Sequence, residues 1–331
     1  MTASGVVPYA SVPASSVSDG GIISFSLAQR ALQLLAISGA VGAASRVMGR
    51  IRMRASEGSN APAESPSGLH VSNLHTVLSE DPEMPILNGV TLDLEPGEVV
   101  ALLGPNGCGK SSFARTLMGD SQYVVTHGGV EMNREDVLSL DVDERASKLG
   151  LFMSWQAPVE VPGLTNFTLL HAAMNATRQA KNLPQLSPFE FYDFAKSRLM
   201  EVERGEELLE YLDRPVNTGM SGGERKRVEL LHAVVLRPRL CIFDEIDSGL
   251  DVDALRQVAT TLRSLREVDP SITMLIVSHY KRMLDELHPT RVLVMQDGVI
   301  VHQGGPDLIN VVDRGGFKGG WLQQQEDDDD P

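Results

Sequence analysis

Cysteine is nearly absent from this chain, with only Cys108 and Cys241 among 331 residues. Two thiols cannot form the disulfide framework of a small secreted fold. Nor can they supply the four thiolates of an iron–sulfur site. Long apolar runs are missing as well. The longest candidate, ALQLLAISGAVGAA (31–44), falls short of the roughly 18 residues a membrane-spanning helix needs. Positive charge is in deficit: 29 Lys and Arg face 44 Asp and Glu, a net charge of -15. That balance excludes a surface built to coat nucleic acid. What remains, at 42% hydrophobic, suits one large domain or two small ones.

The first 60 residues differ from the rest. Residues 1–56 hold ten serines, five arginines, one acid (Asp19) and no lysine, a net of +4 that leaves -19 on the remainder. Acid-poor, Arg- and Ser-rich composition is that of an organelle transit peptide, with a disordered tail as the alternative. SEGSNAPAESPSG (56–68) reads as a linker, the domain as residues 69–321, and the acidic end within 322–331 as a solvated tail.

The body carries a nucleotide site. VVALL (99–103) is a continuous apolar run of strand length, and GPNGCGKSS (104–112) follows it before a helical pattern. This is G-x-x-x-x-G-K-[ST] in full. Gly104, Pro105, Asn106, Gly107, Cys108 and Gly109 make a loop whose backbone N–H groups can face phosphate oxygens. Lys110 reaches the β- and γ-phosphates, and Ser111, followed by Ser112, offers a hydroxyl to Mg²⁺. LCIFDE (240–245) is a second buried strand with Asp244 and Glu245 at its C-terminal end, where a parallel sheet places ligands. Asp244 is the expected magnesium residue, and Glu245 is left to polarise the attacking water. TGMSGGERKRVEL (218–230) puts a glycine pair before a helix, a second anion-binding pattern whose plain alternative is a helix cap.

The order of these segments resembles the ATP-binding-cassette family: the glycine loop, Gln156, Ser221-Gly222-Gly223, Asp244-Glu245, Asp251 and His279. The resemblance implies an α/β fold, a P-loop ATPase domain with a mixed β core and an inserted α-helical subdomain at about 160–235. It implies ATP hydrolysis with Mg²⁺. It also implies head-to-tail pairing with a second copy, in which Ser221, Gly222 and Gly223 contact the γ-phosphate held by the opposite loop. Gln156 then matches the glutamine that senses magnesium and water, His279 the histidine that touches the γ-phosphate, and Asp251 the inter-subunit loop. Many family members stack adenine on an aromatic near the first strand, but VSNLHTVLSED (71–81) has none, so adenine preference over guanine stays open.

Beyond the shared motifs, residues 69–321 resemble the SufC branch. SWQAPVEVPGLTN (154–166), MSGGERKRVELL (220–231), DEIDSGLDVDAL (244–255) and SHYKRMLDELHPTRVLVMQDGVIVHQGG (278–305) carry the likeness. In the last, Asp297-Gly298 reads as a hairpin turn. That branch implies an ATPase driving SufB- and SufD-like scaffold proteins in iron–sulfur cluster assembly. A plastid stroma is the expected location, with mitochondrion or cytoplasm as alternatives. The ATPase subunit of a membrane transporter is the competing function. Neither nucleic-acid binding nor direct membrane insertion is expected. The aromatics Phe189, Phe191, Tyr192 and Phe194 are read first as the helical subdomain's own core, and otherwise as a partner-facing patch.

Overall fold

The computed structural model describes residues 68–155, 159–278 and 280–317. The leader expected over 1–60, Gln156, His279 and the acidic tail lie outside the described residues.

Alternation builds the first layer. In β1 (Leu69–Leu78) and β2 (Pro85–Leu94), Leu69, Val71, Leu74, Leu87, Val90, Leu92 and Leu94 are buried. The period of two slips between Val71 and Leu74, where Asn73 adopts φ 46° in a bulge. Asparagine tolerates that left-handed conformation better than most residues. β3 (Val99–Leu103) shows no alternation, because all five residues are buried. It is followed by α1 (Lys110–Met118), β4 (Tyr123–Met132) and β5 (Glu135–Asp136). The order β2-β1-β4-β5 makes an antiparallel sheet.

β6 (Leu151–Ser154) leads into a mostly helical insert: β7 (Val161–Thr165), α2 (Asn166–Ala180), α3 (Pro188–Met200), α4 (Gly205–Leu209), β8 (Pro215–Val216) and α5 (Gly222–Leu236). The chain then returns through β9 (Leu240–Asp244), α6 (Val252–Val268), β10 (Thr273–Val277), α7 (Lys281–Leu287), β11 (Arg291–Gln296), β12 (Val299–Gly304) and α8 (Asp307–Gly315).

A six-stranded sheet of order β12-β11-β3-β10-β9-β6 forms the centre, parallel except for β12. Its middle strands are covered on both faces, which is why they read as unbroken apolar runs. Val99, Ala101, Cys241, Phe243, Met274 and Ile276 enter one core with the helices. Their neighbours Val100, Leu102, Ile242, Leu275 and Val277 enter a second core with α1 and the antiparallel sheet. Each buried Val, Leu, Ile, Phe or Met side chain contributes about 1.5–3 kcal/mol by leaving water.

The expected Asp297-Gly298 turn is present. Gln296 pairs with Val299, and the two turn residues have φ 47° and 78°, as a primed two-residue hairpin requires. The aromatic stripe of α3 divides. Phe191 is fully buried and Phe194 packs against the same core, whereas Phe189 is 77% exposed and Tyr192 37%. Helical period explains the split: Phe191, Ala195 and Leu199 recur every fourth residue and line the inward face.

Candidate functional site

Because β3, β10, β9 and β6 are parallel neighbours, the loops that follow them open on one edge of the sheet. Val277 lies level with Leu102 and with Asp244, and Phe243 with Ser154. That register gathers the phosphate loop, Asp244-Glu245, and the residues on either side of Gln156 and His279. Ligands bind at this edge in open α/β sheets.

Gly104 opens the phosphate loop with φ 155°, and a Cβ there would come within 2.2 Å of the Met295 carbonyl. Only glycine lets the loop pass so close to β11. The hairpin turn supports it from below: the Gly298 N–H donates to the Cys108 carbonyl at 3.0 Å, and Asn88 donates to the Gly298 carbonyl at 2.9 Å. Gly298 has no room for a side chain either, since a Cβ would lie 2.4 Å from the Ile86 carbonyl. Asn106 is exposed and Pro105 half-buried at the crest, while Cys108 points inward with its thiol pKa raised by burial. Lys110 is buried, and its Nζ donates to the Gly104 and Pro105 carbonyls at 2.8 and 3.0 Å. Those bonds hold the ammonium over the loop. Ser112 Oγ donates to the Tyr123 hydroxyl at 3.3 Å. At the far end of α1, the buried Arg145 donates to the Thr116 and Leu117 carbonyls at 3.0 and 2.8 Å. A cation there is favoured by the helix dipole.

Ser111 Oγ donates to Asp244 Oδ1 at 3.0 Å, a contact between residues 133 apart in sequence. The other carboxylate oxygen, Oδ2, is buried without a hydrogen-bond partner, and burial raises the Asp244 pKa. An orphaned buried oxygen beside a hydroxyl is a donor set that fits a small hard cation such as Mg²⁺. Glu245 is half-buried and adopts φ 50°, with its N–H donating to the Val277 carbonyl at 2.9 Å. Left-handed backbone at glutamate costs of order 1–3 kcal/mol. Two residues on, buried Asp247 accepts a hydrogen bond from Ser278 Oγ, which in turn accepts one from the Tyr280 N–H at 3.0 Å. Those bonds grip both flanks of His279.

The glycine pair is a helix start. Ser221 caps α5 in a reciprocal capping box: its Oγ accepts from the Glu224 N–H at 3.3 Å, and Glu224 accepts from the Ser221 N–H at 2.9 Å. Arg214 adds a bond to Glu224 at 2.8 Å. The backbone N–H of Ser221 and the Arg214 guanidinium bring the Glu224 carboxyl down to about 2. Ser221 and Gly222 are exposed, and no described hydrogen bond joins them or Gly223 to the chain's own phosphate loop. The three cations that follow diverge. Arg225 reaches Glu160, Lys226 is buried on the Trp155 carbonyl, and Arg227 reaches the Tyr211 hydroxyl. Asp251 caps α6, accepting from the Ala254 N–H at 2.8 Å.

Sequence reasoning did not single out Lys226, Glu229, Asp247 or Tyr123. A Lys and a Glu at i and i+3 were visible, but that spacing is equally common on solvated helix faces.

The sequence profile of the ABC transporter family matches residues 87–248. The chain is 42% identical to the "Probable ATP-dependent transporter SufC" of Escherichia coli (strain K12), over 78% of this chain and 100% of that protein. It is 41% identical to "ABC transporter I family member 6, chloroplastic" of Arabidopsis thaliana, over 76% of this chain and 72% of that one. Among solved structures, a nucleotide-free ATP-binding cassette from an ABC transporter superposes with a TM-score of 0.59 at 21% identity, covering 77% of this chain and 98% of that chain. A dimeric bacterial ABC transporter cassette gives 0.58 at 21% identity, covering 72% and 98%. At that identity the structures speak for the cassette fold. The sequence relatives speak for the family: the chain belongs to the SufC family of ATP-binding-cassette ATPases, and its reaction is the hydrolysis of ATP.

Proposed function

We propose that this chain is the ATPase of a SUF-type iron–sulfur cluster assembly system, working on SufB- and SufD-like scaffold proteins as a nucleotide-closed, head-to-tail pair. The observation that carries the chemistry is the Ser111–Asp244 contact with its orphaned carboxylate oxygen beside the phosphate loop. Lys110 and the loop amides hold the phosphates. Ser111 and Asp244, with Gln156, would hold Mg²⁺, which when bound neutralises phosphate charge. Glu245 accepts a hydrogen bond from the attacking water and takes its proton, while His279 steadies the γ-phosphate. Ser221, Gly222 and Gly223 present the exposed N-terminus of α5 to the γ-phosphate held by the other copy; capping its own helix and serving a partner's phosphate are compatible, because only part of the N-terminal N–H set is used by the cap.

The assembly role rests on the 42% identity to a SufC, and the plastid stroma on the composition of residues 1–60 and on a relative whose name reads "chloroplastic". Those 60 residues act as the transit peptide and linker, residues 69–321 as the ATPase domain, and 322–331 as a solvated tail. The competing reading, a transporter ATPase, is favoured by the word "transporter" in the relatives' names. Affinity capture of the full chain with mass spectrometry separates the two: soluble SufB- and SufD-like subunits are expected, and a membrane permease in their place refutes the assembly role.

A further inference from the structure

One buried cluster lies outside the machinery described above and joins three of its parts. Glu229 sits on α5, two turns from Ser221, with 5% of its surface exposed. Its carboxylate accepts from Ser154 Oγ at 2.7 Å and from the Trp155 N–H at 2.9 Å. Lys226, 4% exposed, donates from Nζ to the Trp155 carbonyl at 3.0 Å and to Glu229 at 3.3 Å. Both polar groups of the Trp155 backbone are therefore held by side chains of α5. The Trp155 carbonyl belongs to the planar peptide unit that leads into Gln156. The Trp155 indole, itself buried, lies under Arg115 of α1 with the guanidinium 5.5 Å from the ring centroid. A solvated surface pair would be worth little. Here an acid and a lysine have left water, burial raises the Glu229 pKa, and such burial is retained only where well-aligned hydrogen bonds compensate it. Two of the four bonds hold the Trp155 backbone, and the other two tie Glu229 to Ser154 and to Lys226.

The geometry points to Glu229, with Lys226, as a positioning pair that locks the backbone entering Gln156 to the helix carrying Ser221-Gly222-Gly223. Movement of α5 toward a partner's nucleotide then carries the Gln156 segment with it. Both residues act through Trp155, whose backbone they hold. The inference deepens the functional reading and rests on the role proposed there for Gln156.

Glu229→Gln tests it in the full-length chain. The substitution keeps size but replaces one of the two acceptor oxygens by a donor where three donors converge, so the bonds around Trp155 are loosened without a cavity. Turnover is expected to fall about ten- to a hundredfold, the range for misplacing a reacting group by an ångström, while fluorescent-ATP affinity and KM stay within about threefold. In a Trp321→Phe background, acrylamide quenching of Trp155 is expected to rise. Lys226→Met is expected to reproduce the same pattern. A turnover loss that only follows the loss of folded protein, read by circular dichroism, overturns the inference, as does unchanged turnover. Should Glu229→Gln fail to fold, Ser154→Ala removes a single donor, and turnover lowered about threefold or more at unchanged Tm is expected; no change there is equally fatal. Gln156→Ala measured alongside separates the two readings. If it hydrolyses ATP normally, the role of Gln156 fails; if it is slow while Glu229→Gln is not, only the positioning pair fails.

Discussion

Mild acidification, between pH 6.5 and about 4, should weaken this fold through His232. It lies on α5, 6% exposed, with Nε2 2.8 Å from Asn166 Oδ1. The Asn166 amide nitrogen donates to the Tyr211 and Arg214 carbonyls, so Oδ1 is the oxygen that faces the ring and His232 Nε2 must be the donor. The neutral imidazole already satisfies this contact, and burial pulls its pKa from 6.5 down to about 4. Between those values the unfolded chain binds a proton that the folded chain does not. Stability therefore falls as pH drops through the window from 6.5 to about 4, and the loss is complete below it. At pH 5.5 the penalty from this residue is about 1.4 kcal/mol, and at pH 7.5 it is close to nothing. His232→Gln keeps a donor toward Asn166 but cannot titrate. Urea unfolding of both proteins at the two pH values isolates the effect, because every other acid-sensitive group is common to them. The stability gap between wild type and variant should shift by about 1.4 kcal/mol in the variant's favour at the lower pH. A gap independent of pH, or an imidazole titrating near 6.5 by NMR, would refute the reasoning.

Other outcomes follow from the same geometry. Glu245→Gln should keep ATP binding and lose turnover by about a hundredfold or more, as expected for a catalytic base, in a steady-state phosphate-release assay; near-normal turnover removes Glu245 from that role. Lys110→Ala and Ser221→Arg should each be nearly inactive alone. Mixed in the presence of scaffold, they should recover about a quarter of wild-type hydrolysis, because half the pairs are mixed and each has one intact site. Mixed pairs that form without any gain would return Ser221 to its capping role alone. Phe191→Ala should cost about 3–5 kcal/mol in urea unfolding, since the ring is fully buried against Phe167 and His171. Phe189→Ala, at a 77% exposed ring, should stay within about 0.5 kcal/mol, and equal effects would contradict the orientation of α3.

Local chemistry was legible in the sequence. An apolar run of five before the glycine-rich GPNGCGKSS reads as a strand entering a tight loop, and Asp-Gly between two apolar stretches as a hairpin turn, because backbone conformation over a few residues is set largely by those residues' own sterics. The acids ending LCIFDE were likewise readable, since a buried strand must surface somewhere and its end is where polar groups can go. What the sequence left undecided depends on neighbours far along the chain. The Ser111–Asp244 contact joins residues 133 apart, and the grip of Glu229 on Trp155 joins residues 74 apart. The stripe of α3 looked uniform as letters, yet only the packing of the insert chose Phe191 for the core and left Phe189 in solvent. The consecutive cations of Arg225-Lys226-Arg227 were sorted in the same way, one inward and two toward separate acceptors. Helical period states which residues share a face; which face is buried, and therefore whether a lysine becomes a solvated charge or a buried clamp, is decided only when the sheet edge and the helix meet.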